Sequence, residues 1–218
     1  MSTYVLIPGM NHGGWCFDDL AGRLRAGGHG VHALTLPGLT AGDDVSGVNL
    51  ETHIAAAADV VADLDDVVLV GHSYGGMIVS GAADRLPERV DSVVYLDAFV
   101  PRDGENCWER TTDEERAWYA DDDGSGFAVP AMPFFDERAL PHPRATLMQR
   151  IRLTGDLSRF RRRVYLFATD WPGESPLHAS YERIRDDPAW EVHVLESKHN
   201  LMRDVPEKVA TILLDLAR

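Results

Sequence analysis

The stretch DDVVLVGHSYGGMIVSGAADRL, at residues 65–86, contains the pattern that decides the fold of this chain. Its apolar run at 67–70 predicts a buried strand, and the small residues of 77–86 predict a helix. Between them, GHSYG at 71–75 places Ser73 at the turn, without the Gly-x-Gly-x-x-Gly pattern of a dinucleotide-binding turn. A strand, Gly-x-Ser-x-Gly and a helix in this order are typical of a nucleophile elbow, in which a strained serine faces the positive end of a helix dipole. The sequence therefore predicts that Ser73 is a nucleophile.

On both sides of this stretch, short apolar runs alternate with helical patterns. Further strands are predicted at 4–8, 31–36, 92–96, 164–168 and 191–195, and further helices at 15–26, at 50–64 and from Pro206 onward. Strands separated by helices pair in parallel through right-handed crossovers, and strands this apolar need cover on both faces. The predicted fold class is α/β, with a mostly parallel six-stranded sheet and helices on both faces, in a single domain spanning residues 1–218.

Residues 101 to about 160 interrupt this alternation. They contain several prolines, no clear strand and six aromatic residues, namely Trp108, Trp118, Tyr119, Phe127, Phe134 and Phe135. We predict that short helices form a lid insertion at about 102–160, above the carboxyl edge of the sheet where ligands bind in such folds. Most of these aromatic side chains should form the core of the insertion, and Trp108 and Trp118 are the candidates for contact with substrate.

The composition of the chain excludes several classes of partner. A formal net charge of −14 argues against binding to nucleic acids or to acidic membrane surfaces. The two cysteines, Cys16 and Cys107, make no disulfide framework and match no metal motif, and we expect neither a metal nor a cofactor. Apolar runs stay well short of the about 18 residues that suggest a membrane span, and the N-terminus lacks the features of a signal peptide. A cytoplasmic location is therefore predicted, and a homodimer is left open.

A serine nucleophile needs a general base and an acid that orients the base. His199 lies in ESKHN, just before the final helix, and fits the chain order serine, acid, histidine. Two aspartates remain candidates for the acid: Asp97 follows the strand at 92–96, and Asp170 follows the strand at 164–168. Both lie at carboxyl ends of predicted parallel strands, so either side chain can reach His199.

The oxyanion of an acyl-transfer intermediate needs two backbone N–H donors. One is predicted to come from Tyr74, the residue after the nucleophile, and the other from Met10 in the loop PGMNHGGW at 8–15. His12 and His72 lie in these two loops, and His12 is a candidate for the wall of the substrate pocket. The remaining histidines are expected to be structural or exposed.

Several motifs together resemble those of a known superfamily. LIPGMNHGGW, LTLPGL, GHSYGGM, LDAFVPRDG and SKHNLM followed by PEKVA are spread over the whole chain. They are similar to motifs of the α/β-hydrolase superfamily, in the branch that holds plant methylesterases, hydroxynitrile lyases and their bacterial esterase relatives. This resemblance implies serine-hydrolase chemistry without a cofactor, and it does not specify the substrate.

The resemblance also bears on the acid and on the reaction. Plant-like members carry their aspartate at the position of Trp171, one residue beyond Asp170. Asp97, 24 residues after the serine, matches another arrangement in the superfamily and is slightly favoured. Lyases of this branch carry a threonine and a lysine where this chain has Gly9 and Asn200, so the resemblance favours an esterase.

The function predicted from these residues is hydrolysis of a small or medium carboxylic ester through an acyl-enzyme. His199 would take the proton from Ser73, and the aromatic lid would favour an apolar acyl or aryl group. One alternative is a biosynthetic enzyme that acts as a thioesterase, lactonase or cyclase. Another is a ligand-binding protein that retains the fold without turnover.

Overall fold

The structure is a computed structural model that describes residues 2–216. Its strands are β1 (Thr3–Ile7), β2 (Gly30–Ala33), β3 (Val67–Ser73), β4 (Val90–Ala98), β5 (Ala128–Val129), β6 (His142–Pro143), β7 (Arg162–Ala168) and β8 (Glu191–Leu195). Six of them form the main sheet in the order β2-β1-β3-β4-β7-β8, and each neighbouring pair is parallel. The predicted fold class is confirmed.

Helices cover both faces of this sheet. They are α1 (Asp18–Ala26), α2 (Leu50–Ala62), α3 (Gly75–Arg85), α4 (Cys107–Arg110), α5 (Asp113–Tyr119), α6 (Ala145–Met148), α7 (His178–Ile184), α8 (Leu201–Asp204) and α9 (Pro206–Leu216), with 3-10 turns at Gly14–Phe17 and Leu157–Arg159. Alternate residues of β3 belong to two separate buried clusters, because successive side chains of a strand point to opposite faces. Val67 and Leu69 pack with α2 and α3, whereas Val68 and Val70 pack with α1 and α9. Within residues 2–216, no helix is both long enough and apolar enough to cross a bilayer.

The insertion at 102–160 lies between β4 and β7 and contains α4, α5 and α6. It also contains an antiparallel pair, β5 and β6, in which Ala128 lies opposite Pro143 and Val129 opposite His142. The expectation that this segment holds no strand was therefore wrong. A pair of two-residue strands joined by twelve residues has no periodicity that a sequence pattern can reveal, because its hydrogen bonds depend on the surrounding tertiary contacts.

Other differences from the predicted elements are small. The strand predicted at 31–36 ends at Ala33, and the helix predicted at 77–86 begins at Gly75. The first residues of the helix predicted at 15–26 form a 3-10 turn, and α7 and α8 were not predicted. Short helices such as α8 gain their stability from packing rather than from propensity, so their sequence signal is weak.

Candidate active site

Ser73 lies at the end of β3, immediately before α3, with a backbone φ of 54°. A positive φ is strained for a residue other than glycine and is typical of functional turns. The turn is also tightly packed: a Cβ at Gly71 would lie 2.6 Å from the carbonyl oxygen of Gly75, and a Cβ at Gly75 would lie 2.5 Å from that of Ile7. Glycines are therefore required on both sides of the serine, since any side chain there would displace the backbone.

His199 forms a hydrogen bond with Asp97. The Nδ1–H of His199 donates to Oδ2 of Asp97 over 2.7 Å, and the Asp97 side chain is fully buried at the carboxyl end of β4. Asp97 itself has a φ of 43°, which directs the chain sharply at the end of the strand. Burial raises the pKa of the Asp97 carboxyl and lowers the pKa of the His199 imidazole. A neutral imidazole at neutral pH has a free lone pair on Nε2, as a general base requires.

Asp170 lies elsewhere. It is exposed, its backbone N–H donates to the Ser197 carbonyl, and its Oδ1 accepts a hydrogen bond from Thr169 over 2.9 Å. Trp171, at the position where plant-like relatives carry their aspartate, instead packs edge-on against His199 with ring centroids 4.5 Å apart. The structure therefore brings Asp97, and not Asp170, to the histidine.

His72 connects the loop of the serine to the loop of His199. Its Nε2–H donates to the His199 carbonyl over 3.1 Å, and the two rings lie 4.5 Å apart. Its other nitrogen is buried and accepts no hydrogen bond from residues 2–216. Burial lowers the pKa of His72 well below its ordinary value. A neutral His72 next to His199 avoids a second positive charge, which would oppose protonation of the base.

The loop after β1 passes close to the serine. A Cβ at Gly9 would lie 2.9 Å from Nδ1 of His72 and 3.0 Å from Cβ of Ser73. A threonine at this position, as in lyases of the branch, would need one of these neighbours to move. The next residue, Met10, is buried, and its carbonyl accepts a hydrogen bond from Nδ1–H of His12 over 2.6 Å. This bond orients the peptide between Met10 and Asn11. The Met10 N–H, in the preceding peptide, is one of the two predicted oxyanion donors.

Asn11 joins this loop to the insertion. Its Nδ2 donates to the carbonyls of Val129, over 3.3 Å, and Leu140, over 2.8 Å. Its own carbonyl accepts from the Leu140 N–H, and its N–H donates to Nδ1 of His142. Asn11 is 1% exposed and has a φ of 63°, a conformation that asparagine adopts more readily than most residues. Four hydrogen bonds from one residue thus hold the insertion against the loop that carries Met10.

A second buried network lies behind Tyr74, whose N–H is the other predicted oxyanion donor. The Tyr74 hydroxyl donates to Nδ1 of His53 over 3.0 Å, and Nε2–H of His53 donates to the Pro37 carbonyl over 2.8 Å. His142 packs edge-on against Tyr74 at 4.8 Å and donates through Nε2–H to Thr146. Burial lowers the pKa of His53 to about 4, so both rings act as neutral parts of the scaffold.

The predicted substrate-binding residues occupy different places. His12 is half-buried, and its ring lies 5.1 Å from that of Phe135, which in turn lies 5.9 Å from Trp118. Nε1–H of Trp118 donates to the Pro130 carbonyl, which orients the indole within the insertion. Trp108 is half-buried in α4 and packs against the core on the α2 and α3 side. His12 and Trp118 thus belong to one aromatic row, and Trp108 contributes to the base of the insertion.

A small cavity of about 240 Å³ opens beside this row and is lined in part by His12, Trp15, Arg138 and Asn200. The guanidinium of Arg138 lies 4.3 Å from the ring of Trp15, an arrangement that favours cation–π attraction. Asn200 directly follows His199 in the chain, but neither His199 nor Ser73 belongs to the lining of this cavity. In the described part of the chain, no group of three or more His, Cys, Asp or Glu side chains is arranged to hold a metal ion.

Sequence reasoning missed Asn11 and Phe135 as residues of the site. Asn11 sits in the loop between two predicted elements, and an asparagine beside glycines indicates a turn but not the partners of its side chain. Phe135 was grouped with the other aromatics of the insertion, since nothing in the sequence pattern separates a residue that faces His12 from one that faces solvent. Phe134, its neighbour, is 79% exposed.

Comparisons with known proteins agree with this architecture. The chain matches the model of the alpha/beta hydrolase family over residues 4–212. It is 35% identical over 242 residues to a carbendazim hydrolyzing esterase of Nocardioides sp. (strain SG-4G), in an alignment that covers 99% of this chain and 100% of that protein. It is also 32% identical over 181 residues to a pyrethroid hydrolase of Sphingobium wenxiniae, covering 80% of this chain and 57% of that protein.

Solved structures show the same fold at lower identity. An extracellular alpha/beta-hydrolase from a Paenibacillus species has a TM-score of 0.80 at 23% identity, covering 99% of this chain and 98% of that chain. A methylesterase from Arabidopsis has a TM-score of 0.76 at 22% identity, covering 100% of this chain and 99% of that chain. Because the family model matches this chain from residue 4 to residue 212, the chain belongs to the alpha/beta hydrolase family.

Proposed function

We propose that the protein is a serine hydrolase of carboxylic esters, with Ser73, His199 and Asp97 as its catalytic triad. The observation that carries the proposal is the 2.7 Å hydrogen bond between His199 and a fully buried Asp97, beside a serine in a strained turn. Relatives named as a carbendazim hydrolyzing esterase and a pyrethroid hydrolase support ester hydrolysis. The crowded position of Gly9 supports hydrolysis over the lyase reaction.

The proposed reaction begins when Nε2 of His199 takes the proton of the Ser73 hydroxyl as the oxygen attacks the ester carbonyl. The developing oxyanion accepts hydrogen bonds from the N–H groups of Met10 and Tyr74. His199 then gives the proton to the leaving alcohol, and the same histidine activates the water that cleaves the acyl-enzyme. Asp97 holds Nδ1–H throughout, so Nε2 carries the lone pair that faces the serine.

The insertion at 102–160 supplies the proposed cover of this site. The row from His12 through Phe135 to Trp118 supports an apolar acyl or aryl group in the substrate, because aromatic faces gain free energy from apolar contact and offer few polar groups. A cytoplasmic location and a homodimer stay predictions, to be checked by fractionation and by size-exclusion chromatography.

Ser73→Ala provides the direct test. We expect turnover of p-nitrophenyl esters to fall at least ~10³-fold, the order seen when triads are dismantled, with the melting temperature nearly unchanged. The variant should also lose labelling by a fluorophosphonate, which reacts with activated serines. Ser92→Ala, which removes the hydroxyl of a buried serine near the opposite end of the sheet, is the matched control and should retain activity.

Three results would count against the proposal. A folded Ser73→Ala variant with near-normal turnover would exclude this serine as the nucleophile. Labelling of the wild type without sustained turnover of any ester, including carbendazim, would favour the ligand-binding alternative. Much faster cleavage of thioesters than of oxygen esters with the same acyl groups would favour the biosynthetic alternative.

A further inference from the structure

A larger cavity lies apart from the proposed catalytic residues. It has a volume of about 550 Å³ and is enclosed by α3, α7, the loop after β4 and the end of the insertion. Leu153, Leu157, Ile184 and Trp190 form apolar parts of its wall. Neither Ser73 nor His199 belongs to the lining. Four arginines and four aspartates also line it, so the wall combines apolar patches with many charged groups. A concave site of this size can hold a small molecule.

Arg163 is the unusual residue of this wall. It belongs to β7, an inner strand of the sheet, and lies opposite Val93 of β4. Because side chains alternate along a strand, Arg163 leaves the sheet on the face of Tyr165, which belongs to the buried cluster on the α2 and α3 side. Its Nε–H is buried and has no hydrogen-bond partner among residues 2–216. A guanidinium stays charged in proteins, and a buried donor without an acceptor costs free energy.

The other arginines in the wall are occupied or exposed. Arg159 pairs with Asp84, and Arg183 donates to the Val100 carbonyl and lies 3.5 Å from Glu105. Arg102 is exposed, so its charge is solvated. Among these arginines, Arg163 is the one whose buried N–H lacks a hydrogen-bond partner in residues 2–216.

The aspartates in the wall also have partners of their own. Asp103 accepts from the Leu153 N–H over 2.9 Å, and Asp187 accepts from the Ala189 N–H over 2.9 Å. Asp156 accepts from the N–H and the hydroxyl of Ser158, and these bonds, more than the nearby Arg163, lower the pKa of its carboxyl. Asp156 senses the charge of Arg163, but none of these carboxylates accepts a hydrogen bond from the buried Nε–H of Arg163.

We propose that this cavity binds a small organic carboxylate, whose charged end pairs with Arg163 and whose apolar body lies against Trp190 and Leu157. A guanidinium fork matches the two oxygens of a carboxylate, and such charge-assisted bonds are strong when partly desolvated. The apolar wall distinguishes this ligand from a bare inorganic anion, which would leave those surfaces in contact with water. The site is separate from the proposed esterase centre and stands whether or not that proposal holds.

Isothermal titration calorimetry with 3-phenylpropionate tests the site, with the uncharged 3-phenylpropanamide as the matched ligand. We expect one molecule of the acid to bind per chain, and the amide to bind much more weakly. Arg163→Met keeps most of the side-chain length and removes the charge, so binding should weaken at least ~10-fold, as is typical for hydrogen bonds to charged groups. Lys208→Met, on an exposed position of α9, removes one positive charge elsewhere and should leave binding unchanged.

Leu157→Trp provides a second variant, in case Arg163→Met does not fold. The larger ring should fill the cavity and abolish binding of the acid without any change in charge. Equal affinity in wild type, Arg163→Met and Leu157→Trp would overturn the proposal, as would binding of inorganic phosphate that is tighter than that of the acid. Competition with a p-nitrophenyl ester that persists in Arg163→Met would place the acid in the esterase centre instead and would likewise overturn it.

Discussion

Two aspartates lie at or just beyond the carboxyl ends of neighbouring strands of this sheet, and only one of them contacts His199. Asp97 is fully buried and bonded to Nδ1, whereas Asp170 is exposed and bonded to Thr169. The difference arises from where each strand ends: β4 continues through Asp97, and β7 stops at Ala168, two residues before Asp170. The orientation of the imidazole therefore depends on a single carboxylate.

Asp97→Asn should consequently be far more damaging than Asp170→Asn. The amide can donate to Nδ1 instead of accepting from it, which stabilises the tautomer with its proton on Nε2, the nitrogen proposed to take the proton of Ser73. We expect kcat for a p-nitrophenyl ester to fall about 10⁴-fold in Asp97→Asn. Asp170→Asn is the matched control, and its kcat should stay within about tenfold of wild type. The reason is that a loop hydrogen bond contributes only ~1 kcal/mol, and this contribution is to stability rather than to the rate. The reverse order of the two losses would assign the acid to the loop after β7.

Among the elements, the contact between the loop after β1 and the insertion sets how freely the insertion moves. Asn11 bonds to both the carbonyl and the N–H of Leu140, to the carbonyl of Val129 in β5, and to the ring of His142 in β6. The adjacent residue is Met10, the proposed oxyanion donor. Any displacement of the insertion is thus coupled to the geometry of that donor.

Asn11→Asp tests this coupling. The substitution keeps the shape and the φ preference of the residue but replaces an amide that donates to two carbonyls with an acceptor. We expect the free energy of unfolding to fall by about 2 kcal/mol or more, since buried polar groups lose their partners. Hydrogen exchange at the Leu140 amide should accelerate, and kcat should fall more than KM rises.

Asn49→Asp is the matched control for this substitution. Asn49 is the N-cap of α2, and its Oδ1 accepts from the N–H and the hydroxyl of Thr52, interactions that an aspartate provides equally well. Stability and exchange in the insertion should therefore be unchanged. Unaltered exchange at Leu140 in Asn11→Asp would contradict the role assigned to Asn11.

At the scale of the whole molecule, buried histidines link stability to pH. His53 is fully buried behind Tyr74, and burial lowers its pKa to about 4. As the pH falls, the unfolded chain takes up a proton at this residue near pH 6.5, whereas the folded chain does so only near pH 4. The unfolded state therefore binds more protons between about pH 6.5 and pH 4. The contribution of a neutral His53 is therefore complete above about pH 6.5 and is lost as the pH falls toward 4.

His53→Gln should weaken this pH dependence. Between pH 7 and pH 5, the free energy of unfolding of the wild type should fall by about 2 kcal/mol more than that of the variant, by proton linkage for one such group. Urea denaturation of both proteins at the two pH values measures the difference. Asp97 and Glu115, whose pKa values are raised by burial, titrate with the opposite effect on stability. Because both proteins contain these two residues, their contributions cancel in the comparison. His178→Gln, at an exposed position of α7, should leave the wild-type dependence intact. Equal pH dependence in wild type and His53→Gln would show that His53 is protonated in the folded state.

The parallel sheet, the elbow and the final helix were predictable because their signals are local. An apolar run such as 67–70 indicates a strand covered on both faces, and a serine between glycines after it indicates the turn. The same reasoning identified His199, which precedes a helix with a regular apolar face. The pair β5 and β6 and the bonds of Asn11 were not predictable, since they join segments more than a hundred residues apart or lack a periodic pattern.

The sequence was enough to establish the fold class, to indicate Ser73 and His199 as candidate catalytic residues, and to narrow the acid to two aspartates. Each of these follows from the spacing of residues along one strand, turn or helix, where chain geometry limits the alternatives. Three features are visible only in the tertiary structure. They are the contact of His199 with Asp97 rather than Asp170, the hydrogen bonds of Asn11 to the insertion, and the position of Arg163 beside a cavity. These outcomes depend on where strands end and how distant segments pack, because a side chain's partner is set by three-dimensional proximity and not by its distance along the chain.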